Sequence, residues 1–410
     1  MRAEPRVALF TDSYLEVNGV ARTSREFTAY TNRHSIPLLC IHAAPQTERI
    51  EEGSLTRLGL KRTPVGFRIE EDQRFDLLLW RHLNLAVETV REFKPDLIHL
   101  TGPSDVGLLG AYVAHLLRVP QVLSWHTNLH EYAGRRLGKL AAFMPRCARG
   151  PIIDYVERQC LKILFEYYKI GRVLLAPNRD LGEMLERNCS RVVFSMKRGV
   201  DTELFSPVKR LRRDSLFTLG YVGRLAPEKN VRLLVEIEKA LRASGNTNFR
   251  FVIVGAGSER DWLEKNLQFA EFTGVLKGES LARAYANFDL FIFPSSTDTF
   301  GNVVLEAQAS GVPAIVSDGG GPKFIIRDGV TGYVASEMAG FRDSIMKLIS
   351  HPEKLQQMRE AARLLACATS WDRIFEEVYR AYDFSLRLNG ARQAIPAQVG
   401  PAITTSDVIN

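Results

Sequence analysis

The chain is predicted to be an α/β protein built from two doubly wound domains, and three observations lead there. Short β-rich runs alternate with helix-length amphipathic runs, the pattern of a parallel sheet with crossover helices. The alternation stops once and restarts, across the basic and aperiodic stretch PVKRLRRDS at 207–215. The polar motifs of the chain also recur where strands end, which is where open α/β sheets bind ligands.

In the first half, strands are expected at VALFT (7–11), PLLCIH (37–42), DLIHLT (96–101), PQVLSW (120–125), RVLLAP (172–177) and RVVFS (191–195). After 207–215, read as an inter-domain linker, the series resumes with FTLGYVG (217–223), FRFVIVG (249–255), EFTGV (271–275), FDLFIFP (288–294), VPAIVS (312–317) and TGYVA (331–335). A first domain over 1–206 and a second over 216–370 follow. Past Trp371, WDRIFEEVYRAYDFSLRL sets Ile374, Phe375, Val378, Tyr379 and Tyr382 on one helical face, which needs a packing partner. Residues 391–410 are polar and aperiodic, and a disordered tail is expected there.

Composition narrows the class. The chain has 410 residues, 45% apolar and 25% charged, close to globular averages and enough for two domains. It has no run of about eighteen apolar residues and no charged-then-apolar leader, so a cytoplasmic location is expected. Five scattered cysteines without a CxxC pair argue against a disulfide framework or a zinc site. A net charge of +7 is compatible with nucleic acid, an anionic membrane or anionic substrates. No basic helix with base-reading residues accompanies it, which excludes nucleic acid. Residues 134–150, GRRLGKLAAFMPRCARG, interleave Arg135, Arg136, Lys139, Arg146 and Arg149 with apolar side chains. The segment reads either as an amphipathic surface for peripheral contact with an anionic membrane or as a solvated helix near an anionic pocket.

Six motifs follow strands. Asn18 and Gly19 precede a helix, where the backbone can approach a ligand or simply turn. His126 stands just beyond strand 120–125, able to bond a hydroxyl or stabilise charge; a metal pair with His130 lacks a third ligand. Arg198, Gly199 and Asp201 form a capped turn or face the ligand. Arg224 and Lys229 flank Pro227 at a helix start. Gly255 and Gly257 begin a GxG, but Arg260 occupies the third small position of a dinucleotide fingerprint, which weakens a nicotinamide reading. Asp298, Thr299, Phe300, Gly301, Asn302 and Glu306 open a helix with two carboxylates around an aromatic-glycine turn.

Two cations beside a helix start suit a phosphate, and carboxylates at the rim suit hydroxyls, so the ligand these groups describe is a sugar joined to a diphosphate. A glycosidase pair of acids has no use for the cations. With NGV at 18–20, HTN at 126–128, RGVD at 198–201, GRLAPEKN at 223–230 and TDTFGNVVLEA at 297–307, the chain resembles the retaining glycosyltransferases of family 4 over nearly its whole length. The resemblance implies the GT-B fold, two Rossmann-like domains facing across a cleft, with the 371–390 helix crossing back to the first. It implies a catalytic set of His126, Arg224, Lys229 and Asp298, and donor contacts from Gly19, Arg198, Gly255, Phe300, Gly301, Asn302 and Glu306.

The family usually has Glu where this chain has Asp298, which keeps the charge and shortens the reach. No DxD triplet occurs, so neither a metal nor a cofactor is expected, Arg224 and Lys229 standing in for a divalent ion. The implied reaction is front-face transfer with retention, the leaving phosphate oxygen taking the acceptor's proton. GDP-mannose is the expected donor and a lipid or glycolipid hydroxyl the expected acceptor. GPSDVGLLG at 102–110 resembles relatives that carry sugars from UDP donors to diacylglycerol. A glycan phosphorylase and a nucleotide-sugar-binding module without catalysis are the remaining alternatives.

Overall fold

The computed structural model describes residues 4–11, 13–16, 18–63, 67–70, 73–126, 128, 146–212 and 214–393. The chain divides into two compact units, Met1–Lys197 with Asp372–Asn410, and Arg198–Trp371. Among the described residues, no helix is long and apolar enough to cross a membrane.

The first unit is built on an eight-stranded sheet. Its strands are β1 (Val7–Thr11), β2 (Leu38–Ala44), β3 (Glu48–Glu52), β4 (Leu55–Lys61), β7 (Leu97–Leu100), β8 (Gln121–Ser124), β9 (Val173–Ala176) and β10 (Val192–Ser195). Their spatial order is β10-β9-β8-β7-β1-β2-β4-β3, and β5 (Phe67–Glu70) with β6 (Gln73–Phe75) forms a separate hairpin. Strands β1, β2 and β7 are buried along their whole length, as parallel strands covered on both faces must be, which is why they read as continuous apolar runs. The sequence reading has no counterpart for β3 to β6. β3 is the charged ERIEE edge, antiparallel to β4, and such charges blunt an exposed sheet edge while hiding the strand from a hydrophobicity count.

Helices start where side chains cap them. Asn18 opens α1 (Gly19–Arg33), Ser104 opens α3 (Asp105–Leu117) and Asn178 opens α5 (Arg179–Cys189), each side-chain oxygen accepting from a first-turn amide. Between them lie α2 (Leu83–Phe93) and α4 (Arg146–Tyr168). The closing helix α12 (Trp371–Gln393) lays Phe375 and Tyr379 against Phe27 and Tyr30 of α1, with the Phe27 and Phe375 ring centroids 5.0 Å apart. Its apolar face thereby finds its partner in the first unit.

The second unit carries a six-stranded, wholly parallel sheet. Its strands are β11 (Phe217–Val222), β12 (Phe249–Val254), β13 (Ala270–Gly274), β14 (Leu290–Phe293), β15 (Ala314–Ser317) and β16 (Gly332–Ala335), ordered β13-β12-β11-β14-β15-β16. Helices α6 (Leu233–Ala243), α7 (Arg260–Asn266), α8 (Gly278–Ala286), α9 (Asn302–Ala309), α10 (Met338–Ser350) and α11 (Pro352–Cys367) complete it.

The boundary differs from the one expected. Residues 198–206 group with the second unit, because Val200 and Phe205 join its core and Arg363 donates to the carbonyls of Thr202 and Phe205. Burying a side chain of that size contributes about 1.5 to 3 kcal/mol. Nor is 207–215 a free linker. Arg210 and Arg212 both reach Asp289, at 2.7 and 2.8 Å, and Arg210 also donates to the carbonyls of Ala286 and Phe288. The basic string is a strap on the second unit. The tail from 394 lies outside the described residues.

Candidate active site

In each unit the singled-out motifs sit just past the carboxyl ends of parallel strands. In the second unit β11 ends at Val222, yet its backbone keeps pairing: Gly223 N bonds Val254 O and Leu225 N bonds Ala256 O. Gly255 has φ +146°, and a Cβ there would lie 1.9 Å from the Gly223 carbonyl oxygen. That close backbone approach is the reason for glycine here, and it fixes the stretch that carries Arg224. A single 3-10 turn, Pro227–Lys229, then swings Lys229 inward, ended by Asn230 in the left-handed region at φ 52°.

Lys229 meets Asp298 across two loops. Its Nζ lies 2.7 and 2.9 Å from the two carboxylate oxygens, and Ser295 Oγ donates to the same carboxylate at 2.5 Å. Thr297 Oγ1 donates to the Glu228 carbonyl at 3.1 Å, tying the loop after β14 to the one after β11. Arg224 lies 3.6 Å from Glu228, and its carbonyl accepts from the buried Tyr221 hydroxyl. Burial, with Asp298 and Glu228 nearby, holds that phenol protonated well above its ordinary value. Both cations are therefore already oriented by protein groups.

The same loop leads into α9. Phe300 is buried in the core, and Gly301 at φ 98° caps the helix in a left-handed conformation, where a Cβ would come 2.9 Å from Pro322. Asn302 is the first helical residue, so the opening amides of α9 follow Asp298 directly. Glu306, one turn on, is 5% exposed and accepts a 2.9 Å bond from the Tyr285 hydroxyl of α8. Gly321 N bonds the Asp298 carbonyl at 2.7 Å, so the GGGP loop braces this turn.

Arg198 is buried in the second unit, and burial pulls its guanidinium down to about 10. Gly199 has a packing reason, since a Cβ would lie 2.7 Å from the Trp371 ring. Asp201 accepts from the amides of Glu203 and Leu204, the capped-turn reading of that motif.

In the first unit, Gly19 is the exposed first residue of α1, and Asn18 is spent on capping it and on Ser13 Oγ. His126 is buried just past β8, its Nε2 2.7 Å from Ser124 Oγ. His130 and most of 134–150 lie outside the described residues.

Residues 18–151 match the glycosyl transferase 4-like domain, and residues 205–365 match glycosyl transferases group 1. A GDP-mannose-dependent alpha-mannosyltransferase from Corynebacterium glutamicum is 30% identical over 387 residues, covering 92% of this chain and 86% of that protein. A protein of the same description from Mycobacterium tuberculosis is 31% identical, covering 92% of this chain and 96% of that one. The chain belongs to family 4 of the glycosyltransferases. The glycosyltransferase also shares the GT-B fold with sucrose-phosphate synthase from Thermosynechococcus elongatus, at a TM-score of 0.70 and 18% identity over 94% of this chain and 100% of that one.

Sequence reasoning missed Ser124, His99, Ser295, Thr297 and Tyr285. Ser124 carried a signal, because residues two apart at a strand end share a face with His126. So did His99, a lone polar residue within the apolar run DLIHLT. Ser295 and Thr297 looked like ordinary loop polarity.

Proposed function

We propose that this glycosyltransferase moves mannose from GDP-mannose to a hydroxyl of a lipid or glycolipid acceptor, with retention at the anomeric carbon and without a metal ion. The acceptor oxygen bonds to C1 on the face the diphosphate leaves. The C1–O bond breaks with its electron pair passing to the diphosphate oxygen, and that oxygen takes the acceptor's proton. Arg224 and Lys229 stabilise the charge the diphosphate gains, since cations held in place before reaction need no reorganisation. Amides opening α9 take phosphate or sugar oxygens, Glu306 accepts ribose hydroxyls, Asp298 holds Lys229 and reaches the sugar, and His126 donates to the sugar.

The observation that carries this reading is Lys229 fixed by both oxygens of Asp298, in a loop that also presents Arg224 at a strand's carboxyl end. The names of the two relatives support mannose and GDP. The test is transfer from labelled GDP-, UDP- and ADP-sugars to a lipid extract. Mannosyl lipid formed from GDP-mannose by the natural protein, and lost in Lys229→Ala, is the expected result; transfer from UDP-glucose alone contradicts the donor. The lipid acceptor implies contact with an anionic membrane through 134–150. Sedimentation with anionic vesicles at low salt, and release as salt rises, is expected.

A further inference from the structure

A line of side chains runs from the closing helix to His126 inside the first unit. The Tyr382 hydroxyl lies 2.7 Å from His99 Nδ1, His99 Nε2 lies 2.8 Å from Ser124 Oγ, and Ser124 Oγ lies 2.7 Å from His126 Nε2. Tyr382, His99 and Ser124 are at most 1% exposed. Helix α12, strand β7 and strand β8 supply the three, so the chain spans elements far apart in sequence.

The direction of this chain follows from its far end. Among the described residues, the Tyr382 oxygen has one hydrogen-bonding neighbour, His99 Nδ1. A buried hydroxyl keeps its proton bonded by donating it, so His99 Nδ1 accepts. Burial drives the His99 ring down to about 3, so it is neutral and its single proton lies on Nε2. That proton goes to Ser124 Oγ. Among the described residues, the Ser124 proton then has two acceptors, the Leu100 carbonyl at 3.5 Å and His126 Nε2 at 2.7 Å, and the shorter contact takes it. A neutral His126 that accepts at Nε2 carries its own proton on Nδ1.

We propose that Tyr382, His99 and Ser124 are positioning residues, a one-way hydrogen-bond chain that holds the His126 ring as its Nδ1–H tautomer and so fixes which ring nitrogen carries the proton. The reverse orientation leaves the Tyr382 proton unbonded in the core. The effect on turnover rests on the functional reading of His126 given above; the tautomer does not.

The test is a long-range ¹H–¹⁵N correlation spectrum of the full chain labelled in histidine, at neutral pH, with His126 and His99 assigned by single substitutions. Expected are a protonated Nδ1 and bare Nε2 in His126, and the opposite in His99. In Tyr382→Phe the His99 pattern becomes mixed and the His126 pattern follows. In the same variant, kcat for GDP-mannose turnover falls on the order of tenfold with KM little changed, as misorientation without lost binding requires. Ser124→Ala gives the same spectral change at His126 and serves should Tyr382→Phe fold poorly. A protonated Nε2 on His126 in the natural protein overturns the proposal, as does an unchanged His126 pattern in both variants. The expected spectra without GDP-mannose turnover by the natural protein support the chain and overturn the functional reading instead.

Discussion

The two units solve the same problem, placing a polar group at the end of a parallel strand, by opposite means. Past β11 the second unit fixes its groups by charge: Lys229 on Asp298, Arg224 near Glu228, and farther back Arg210, Arg212 and Arg359 on Asp289. Past β8 the first unit fixes His126 through a hydroxyl, a neutral imidazole and a phenol. Charges suit a group that must meet a developing negative charge, because their field acts without a partner's exact angle. Neutral hydrogen bonds suit a group whose orientation matters, because they fail unless donor and acceptor are aligned.

The largest expected effect is on the charged side. Lys229→Ala should lower kcat on the order of 10² to 10³, about 3 to 4 kcal/mol of barrier, in steady-state assays with labelled GDP-mannose. An unchanged kcat would mean that the ion pair is only structural, and the contrast between the units would vanish.

Acid separates the units next. His99 sits near 3 rather than its ordinary 6.5, and burial also lowers His42. The folded ring stays neutral while the unfolded one takes a proton below 6.5. The first unit's stability is thus full above 6.5 and falls toward 3, by about 1.4 kcal/mol per pH unit for one such ring. Asp289 is the opposite case: burial alone would raise it, but the Thr218 amide and the Arg210 and Arg212 guanidinium groups pull it below the usual carboxylate range. Its contribution is present above the ordinary carboxylate value, about 4, and is lost only as pH falls through the lower folded one. Hydrogen exchange followed between pH 6.5 and 4 should therefore show the first unit opening first. Simultaneous opening, or the second unit leading, would break the comparison.

The smallest effect sharpens it. Tyr285→Phe removes a neutral hydroxyl that donates to Glu306, costing about 1 kcal/mol of stability in denaturant melts. The donor KM should rise a few-fold with kcat nearly constant, because a looser Glu306 affects binding rather than the charge on the diphosphate. A kcat loss comparable to that of Lys229→Ala would move Glu306 into the charge-stabilising set.

Legibility followed the same divide. The twelve strands that the alternation predicted all form, their ends at most two residues from those expected, since burial on both faces writes itself as apolar runs. Arg224, Lys229, Asp298 and Glu306 stood out in the sequence because charged residues after buried strands demand a reason, and the structure pairs Lys229 with Asp298. The edge strand β3 and its neighbour β4 did not, because the one is charged and exposed and the other interrupts its apolar positions with Thr56 and Arg57. The 207–215 strap was misread because an arginine-rich string looks solvated until Asp289, far along the chain, supplies its partner. The chain behind His126 stayed hidden for the same cause: Tyr382 is 283 residues from His99, and local pattern holds no record of such a pair.

Isothermal titration of GDP and GMP into the natural protein, Arg224→Ala, Lys229→Ala and His126→Ala measures capture of the diphosphate most directly. The natural protein should prefer GDP to GMP, and each cation variant should lose roughly tenfold or more of its GDP affinity, as removal of a charge-assisted contact requires. His126→Ala should bind GDP as the natural protein does. Equal GDP affinity in all four proteins would contradict the assignment of Arg224 and Lys229 to the diphosphate.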